Sequence, residues 1–347
     1  MKILVIQKKK IGDVLISTVL FEILKEKFPS AEIHYLIYEN SSAVVQNNPN
    51  IDKIVILKEQ VKNSLFKFIY FLFEIRKENY DIIIDCYGKP NSVLISALSG
   101  AAKKIGFKKG YTDFFYSDTV QRTKESFSVA KKAIEHRMLL LEPLGISFRL
   151  VSPKIYLSFD EIENAKKSLI NGGLNLDFPI VMISALGSND IKTYPKQYMS
   201  KVIDEIAKIE NIQIIFNYIP FQKEKAEELF FLCKAETQKK IFFNFYEENL
   251  RNFLAVTSLC KALIGNEGGA TNMAKALEIP TFTIFSPTVP KEDWNIFENQ
   301  NTNISVHVND YFQNINENFS VEQEYLLFEP NLFYDKLRHF INYNVDK

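Results

Sequence analysis

The sequence predicts an α/β protein built from two doubly wound domains, and three observations carry that expectation. Short Ile- and Val-rich runs alternate with helix-periodic segments along most of the chain, the pattern of parallel sheets covered on both faces. The alternation halts at residues 146–158, which contain Pro153 and no helical period, and then begins again. A length of 347 residues exceeds one ordinary core and suits two.

Taken in order, residues 2–7 (KILVIQ) form the first expected strand, and residues 14–28 repeat apolar side chains at helical spacing until Phe28, Pro29 and Ser30 stop them. Residues 32–38, 53–57, 81–85 and 104–107 are further expected strands, with helices at 62–77 and 89–99 between them. A long helix over 126–144 closes this half at Gly145. The second half alternates helix 160–170, strand 180–184, helix 195–209, strand 212–216, helix 221–237, strand 241–243, helix 250–260, strand 262–265, helix 271–277 and strand 281–285. The domains are therefore expected at 1–150 and 151–330, with a final helix in 331–347 that can pack back on the amino-terminal domain or stay with its own. Two such domains facing each other leave a cleft at the carboxyl ends of their strands, where ligands of open α/β sheets bind.

Composition narrows the function. Lys plus Arg and Asp plus Glu number 42 each, so binding of nucleic acid by bulk charge is not expected. Cys86, Cys233 and Cys260 lie far apart among four histidines, which supports neither a disulfide framework nor a metal cluster. His34 and His307 fall in strand-like runs without a partner at metal-ligand spacing. The opening MKILVIQKKKIGDV places its lysines after the apolar run, the reverse of a secretory signal. The cytoplasm is the expected compartment. The apolar stretch 66–75 contains Lys67 and Glu74 and falls short of the roughly 20 residues of a membrane span, so a buried or interfacial helix is expected there.

Chemistry is sought in the loops that follow strands. After the first strand, Gly12 and Asp13 precede a helix; Asp13 is either an N-cap or a carboxylate able to take a proton from a hydroxyl. The run LIGNEGGATNMAKA (263–276) ends a strand, turns at Gly268 and Gly269 and opens a helix near Thr271. Backbone N–H groups and the positive helix end converge there as an anion cradle, or as a plain tight turn. Glu267 beside it is a partner for sugar hydroxyls or a solvated carboxylate. Lys192, in the loop ALGSNDIKTYP, is a phosphate partner or an exposed lysine. Ser286 and Thr288 in SPTVPKEDW offer hydroxyl donors, and Trp294 lines a pocket or packs in the core. Lys103, Lys104, Lys108, Lys109, Arg122, Lys124, Lys131, Lys132 and Arg137 concentrate positive charge in residues 103–137: a solvated face, or a patch for an anionic acceptor or lipid head groups.

Together these segments resemble glycosyltransferase family 9, the heptosyltransferases of bacterial lipopolysaccharide core assembly. The resemblance spans KILVIQKKKIGDVLISTVLFEILKEKFPSAEIHYLI, PNIDKIVIL, AIEHRMLLLEPLGI, SALGSNDIKTYP and GNEGGATNMAKALEIPTFTIFSPTVPKEDW. It implies the GT-B architecture, two Rossmann-like domains facing an interdomain cleft, with acceptor bound by the first and nucleotide-sugar donor by the second. It also implies an inverting, metal-independent transfer of a sugar such as heptose from an ADP-heptose-like donor to a lipopolysaccharide-type glycolipid or glycan, without a cofactor and with peripheral contact at the cytoplasmic face of the inner membrane. By position, Asp13 after Gly12 matches the family's general base and Lys192 its donor-phosphate lysine. Gly268, Gly269 and Thr271 match its nucleotide-diphosphate loop. Beside these matches, Gly12, Glu267, Asn272, Ser286 and Thr288 are expected on the donor side from their place in the loops, and Lys108, Lys109, Arg122 and Arg137 on the acceptor side from their charge. The chain departs from the family where Glu267, Gly268 and Gly269 replace Asp-Thr-Gly or Asp-Ser-Gly, where Asn272 replaces a histidine, and where Val19 replaces a proline. Glu267 and Asn272 leave a GT-B-like sugar-nucleotide epimerase, or a transferase of a different sugar, as the nearest alternative; a non-catalytic nucleotide-sugar-binding protein is the alternative from another class, and Asp13 argues against it.

Overall fold

The computed structural model describes residues 1–8, 10–312, 315, 316 and 318–346. The chain divides into two compact units, Met1–Tyr156 and Leu157–Lys347.

In the first unit, β1 (Lys2–Ile6), β2 (Glu32–Ile37), β3 (Lys53–Ile56), β4 (Ile82–Asp85), β5 (Lys103–Phe107) and β6 (Asp118–Val120) form one parallel sheet in the order β3-β2-β1-β4-β5-β6. Ile3, Leu4, Val5 and Ile6 are wholly buried, as a central parallel strand covered on both faces requires. The order reverses between β1 and β4, and this switch point is where such sheets bind ligands. Strand β6 was not expected; three residues at a sheet edge are too few to show a pattern.

Two expected helices are broken by side-chain hydrogen bonds. The run 14–28 becomes Ile11–Ile16 and Val19–Lys27, because Ser17 Oγ donates to the Asp13 carbonyl at 2.8 Å and Thr18 Oγ1 to the Leu15 carbonyl at 2.6 Å. The Asp13 carbonyl keeps its helical bond from Ser17 N, and the backbone beyond tightens to i−3 bonds at Thr18, Leu20 and Phe21, which interrupts the α-helical ladder. The run 126–144 shrinks to Lys131–Leu139 and a short turn at Glu142–Leu144. Residues ahead of it are gathered instead on buried Glu135, whose Oε1 accepts from Ser126 Oγ, Phe127 N, Ser128 N and Ser128 Oγ.

In the second unit, β7 (Ile180–Ser184), β8 (Gln213–Asn217), β9 (Ala262–Asn266), β10 (Thr281–Ile284) and β11 (Asn303–Val306) form a parallel sheet in the order β11-β10-β9-β7-β8. Its switch point lies between β7 and β9. Residues 241–243 make one bridge, Ile241 to Ile214, and no strand. The run 221–237 divides into Lys223–Leu232 and Ala235–Gln238. The last helix, Tyr334–Asn344, places Leu337, Phe340 and Ile341 in this unit's own core. Trp294 is 38% exposed, so the core reading of the lone tryptophan does not hold. The three cysteines are buried and free. Among the described residues no helix is long and apolar enough to cross a membrane.

Candidate active site

In the first unit the chain leaves β1 through Lys8 and enters the helix Ile11–Ile16, with Lys10 at its N-cap position at a positive φ of 62°. Asp13 is therefore the third residue of the helix, after Gly12, and not the cap. Its side chain points to Arg137: Oδ1 accepts from Nη2 at 2.7 Å. The guanidinium is fixed in turn by donating Nε–H to Ser17 Oγ at 2.7 Å and Nη1–H to the Ala133 carbonyl. Arg137 is only 9% exposed, so it stands behind the carboxylate and not on an open basic face, which corrects its placement in the acceptor patch. No spacing rule reveals a pair 124 residues apart.

The other three acceptor candidates differ among themselves. Lys108 is exposed. Lys109 donates from Nζ to the Gly88 carbonyl, and Arg122 stacks its guanidinium 4.1 Å from the centroid of Phe107. Lys108 and Arg122 are both exposed, Arg122 with its guanidinium against Phe107, while Lys109 is half-buried and committed to Gly88.

The end of β4 carries a residue the sequence reading missed. Asp85 is wholly buried; Oδ1 accepts from Tyr87 N at 2.9 Å and Gly88 N at 2.8 Å, and Oδ2 from Tyr116 OH at 2.8 Å. Burial raises its carboxyl above the ordinary range, against the pull of those donors. Tyr116 reaches it because Gly106 has no side chain: a Cβ there would lie 2.5 Å from the tyrosine ring.

In the second unit, β9 runs into the cradle. Gly265 pairs with Ser184 across the switch point, its φ is 132°, and a Cβ would lie 2.5 Å from the Ser184 carbonyl oxygen, so only glycine fits. The helix opens at Gly269, with Gly268 at the cap position, two residues earlier than expected. Thr271 and Asn272 are accordingly inside the helix. Thr271 is buried, with its hydroxyl turned to the Asn266 carbonyl at 3.4 Å. The open N–H groups belong to the Gly269 end.

Lys192 and Glu267 come together, Nζ donating to Oε1 at 3.2 Å. The Lys192 loop is pinned by two side chains. Asn266 accepts from Tyr194 N at 2.7 Å through Oδ1 and donates from Nδ2 to the Ser184 and Ala185 carbonyls. Ser286 Oγ donates to the Ile191 carbonyl at 3.0 Å and pairs with Thr288 Oγ1 at 3.0 Å. Ser286 thus positions the loop, with its hydroxyl proton committed to protein. Asn266 could have been suspected from its place between a strand-ending glycine and the Gly-Gly turn. No group of three or more His, Cys, Asp or Glu among the described residues is arranged as a metal site.

Two Rossmann-like units, one ending in an oriented carboxylate and the other in a lysine beside a glycine-opened helix, define a GT-B glycosyltransferase. The family model described as glycosyltransferase family 9 (heptosyltransferase) matches residues 71–319, and the chain belongs to that family, whose members act in lipopolysaccharide biosynthesis. The chain is similar to "Lipopolysaccharide heptosyltransferase 1" of Campylobacter coli, 26% identical over 299 residues, covering 83% of this chain and 84% of that protein. Among solved structures it is similar to a glycosyltransferase family 9 protein of Veillonella parvula (TM-score 0.80, 18% identity, 97% of each chain). It is also similar to E. coli heptosyltransferase WaaC with ADP-2-deoxy-2-fluoro heptose (TM-score 0.66, 18% identity, 88% of this chain and 93% of that one).

Proposed function

We propose that the chain is an inverting, metal-independent transferase that moves a sugar from an ADP-heptose-like donor, held by the second unit, to an anionic lipopolysaccharide-type glycolipid or glycan held by the first. The observation that carries this reading is Asp13, oriented at the end of the central strand by Arg137. The acceptor hydroxyl oxygen attacks the anomeric carbon, its proton passes to the Asp13 carboxylate, and the bond from that carbon to the diphosphate oxygen breaks. The nucleoside diphosphate leaves with the bonding electron pair. Lys192 and the Gly269 helix end oppose the charge that grows on it. Glu267, which already holds Lys192, accepts from hydroxyls of the donor sugar.

The compartment belongs to the same proposal: the cytoplasm, with peripheral contact at the inner membrane. The helix Leu65–Lys77 supports it by leaving Leu65, Phe66, Tyr70 and Phe73 at least 60% exposed beside Lys67, Arg76 and Lys77, a composition suited to an anionic lipid surface.

The deciding experiment is Asp13→Asn, which keeps the shape and removes the base. Turnover is expected to fall about 100- to 10,000-fold while ADP binding by calorimetry is unchanged. Wild-type turnover in this variant would reduce Asp13 to a structural partner of Arg137.

A further inference from the structure

Each unit contains a carboxylate held by a buried arginine, and the two pairs differ in one oxygen atom. In the second unit Glu161 gives Oε1 to Arg251 Nε at 2.6 Å and Oε2 to Nη2 at 2.7 Å, and Oε2 also accepts from Ser158 N at 2.7 Å. Both oxygens are taken. In the first unit Arg137 reaches only Oδ1 of Asp13, at 2.7 Å, and Oδ2 accepts from no described residue. Exposure does not explain the difference, because the Asp13 side chain is 22% exposed and that of Glu161 23%.

What holds Arg137 to one oxygen is Ser17. It is wholly buried and stands one helical turn after Asp13, on the same face. Its Oγ accepts from Arg137 Nε at 2.7 Å and donates to the Asp13 carbonyl at 2.8 Å. The Ala133 carbonyl takes Nη1, which leaves Nη2 for the carboxylate. A guanidinium is planar and its N–H groups point in fixed directions, so with Nε and Nη1 engaged elsewhere the fork does not turn to grip both oxygens. In the Glu161 pair Nε is itself one of the two gripping atoms. Ser17, Arg137 and Asp13 thus close a ring of hydrogen bonds, and one carboxylate oxygen is left out of it.

We infer that Ser17 is a positioning residue for proton transfer: by occupying Arg137 Nε it restricts the guanidinium to Oδ1 and keeps Asp13 Oδ2 as the oxygen that takes the acceptor's proton. The inference rests on the proposed role of Asp13 as the base. The hydroxyl proton forms its new bond to Oδ2, Oδ1 keeps its bond from Nη2, and the freed hydroxyl oxygen bonds to the anomeric carbon. Without the Ser17 hydroxyl, Nε–H is buried and unmatched. The guanidinium then turns to take both oxygens, as Arg251 does, and the base is covered.

The test is a double-substitution cycle on the full chain, with ADP release from ADP-heptose measured on heptose-free lipopolysaccharide. Ser17→Ala should lower kcat about 10- to 100-fold at unchanged KM for the donor. In Asp13→Asn, where no base is left to direct, the same change should cost less than about twofold. Wild-type kcat in Ser17→Ala, or the same loss in both backgrounds, makes Ser17 a structural residue and overturns the inference. Wild-type turnover in Asp13→Asn would instead strike the proposed function. A second measurement needs neither turnover nor a variant of Ser17. In NMR spectra of wild-type protein labelled on its arginine nitrogens, the Nε–H of Arg137 is assigned by its absence from Arg137→Lys. It should exchange with water about tenfold more slowly than that of exposed Arg149; equal rates mean that Ser17 does not hold it, and overturn the inference.

Discussion

At the end of β1 the first unit presents side chains: Asp13 held by Arg137, and buried Lys8 beside the rings of Tyr38 and Tyr87. At the end of β9 the second unit presents backbone: Gly265, Gly268 and the open helix end at Gly269, with Lys192 brought in by a pinned loop. Both positions are switch points of parallel sheets, and the same architecture supports opposite chemistry. A proton acceptor must be a titratable side chain with a fixed direction. A diphosphate, with its charge spread over several oxygens, is met by converging N–H groups that a side chain at the glycines would push away.

The difference is sharpened most by the glycines. Gly265→Ala places a methyl 2.5 Å from a backbone oxygen at a φ of 132°, and neither can yield, so the expected loss is about 3–5 kcal/mol of second-unit stability. Gly106→Ala in the first unit meets only the Tyr116 ring, which can swing aside, at about 1–3 kcal/mol. Urea unfolding of both variants checks the order; a larger loss for Gly106→Ala would refute the view that backbone forms the second site and side chains the first.

Next in size is an ion pair. Among the described residues each unit holds one carboxyl near 2: Lys2 and Lys53 lower Glu78 in the first, and Arg251 lowers Glu161 in the second. The Glu161 pair is bidentate, at 2.6 and 2.7 Å, with Arg251 only 8% exposed. Because these folded values lie below the ordinary 4.5, the stabilisation is complete above that pH and is lost as pH falls through about 2. Glu161→Gln is expected to cost about 2–3 kcal/mol at neutral pH and to flatten the acid dependence of the second unit alone. Denaturant melts at pH 7, 4 and 3 measure both. An unchanged acid slope would mean that Arg251 does not hold this carboxylate in solution.

The smallest effect concerns Lys192, whose side chain is 33% exposed. Lys192→Ala should weaken ADP binding by about 1.5 kcal/mol, the low end for a charge-assisted bond, and EDTA should leave transfer unchanged. Activity lost in EDTA and restored by magnesium would shift the diphosphate charge from this lysine to a metal.

The family resemblance and the alternation of strands and helices were legible in the sequence because burial on both faces of a parallel sheet leaves continuous apolar runs such as residues 2–7 and 180–184. The carboxylate after β1 and the Gly-Gly turn after β9 were legible too, since strand ends and glycines announce themselves locally. The breaks at Ser17 and before Lys131 were not: helical periodicity records which face is buried and is blind to a hydroxyl that takes a carbonyl or to a glutamate that gathers a loop. Nor were the pairings. Arg137 read as surface charge until the fold placed it on Asp13, Ser286 read as a ligand donor until it closed on Ile191, and Lys8 was one of three consecutive lysines until the sheet buried it between two tyrosines. Local pattern fixes which residues lie on which strand or turn, because it depends on neighbours in the chain. Which charge faces which across 75 or 124 residues depends on packing alone, and only the tertiary structure decided it.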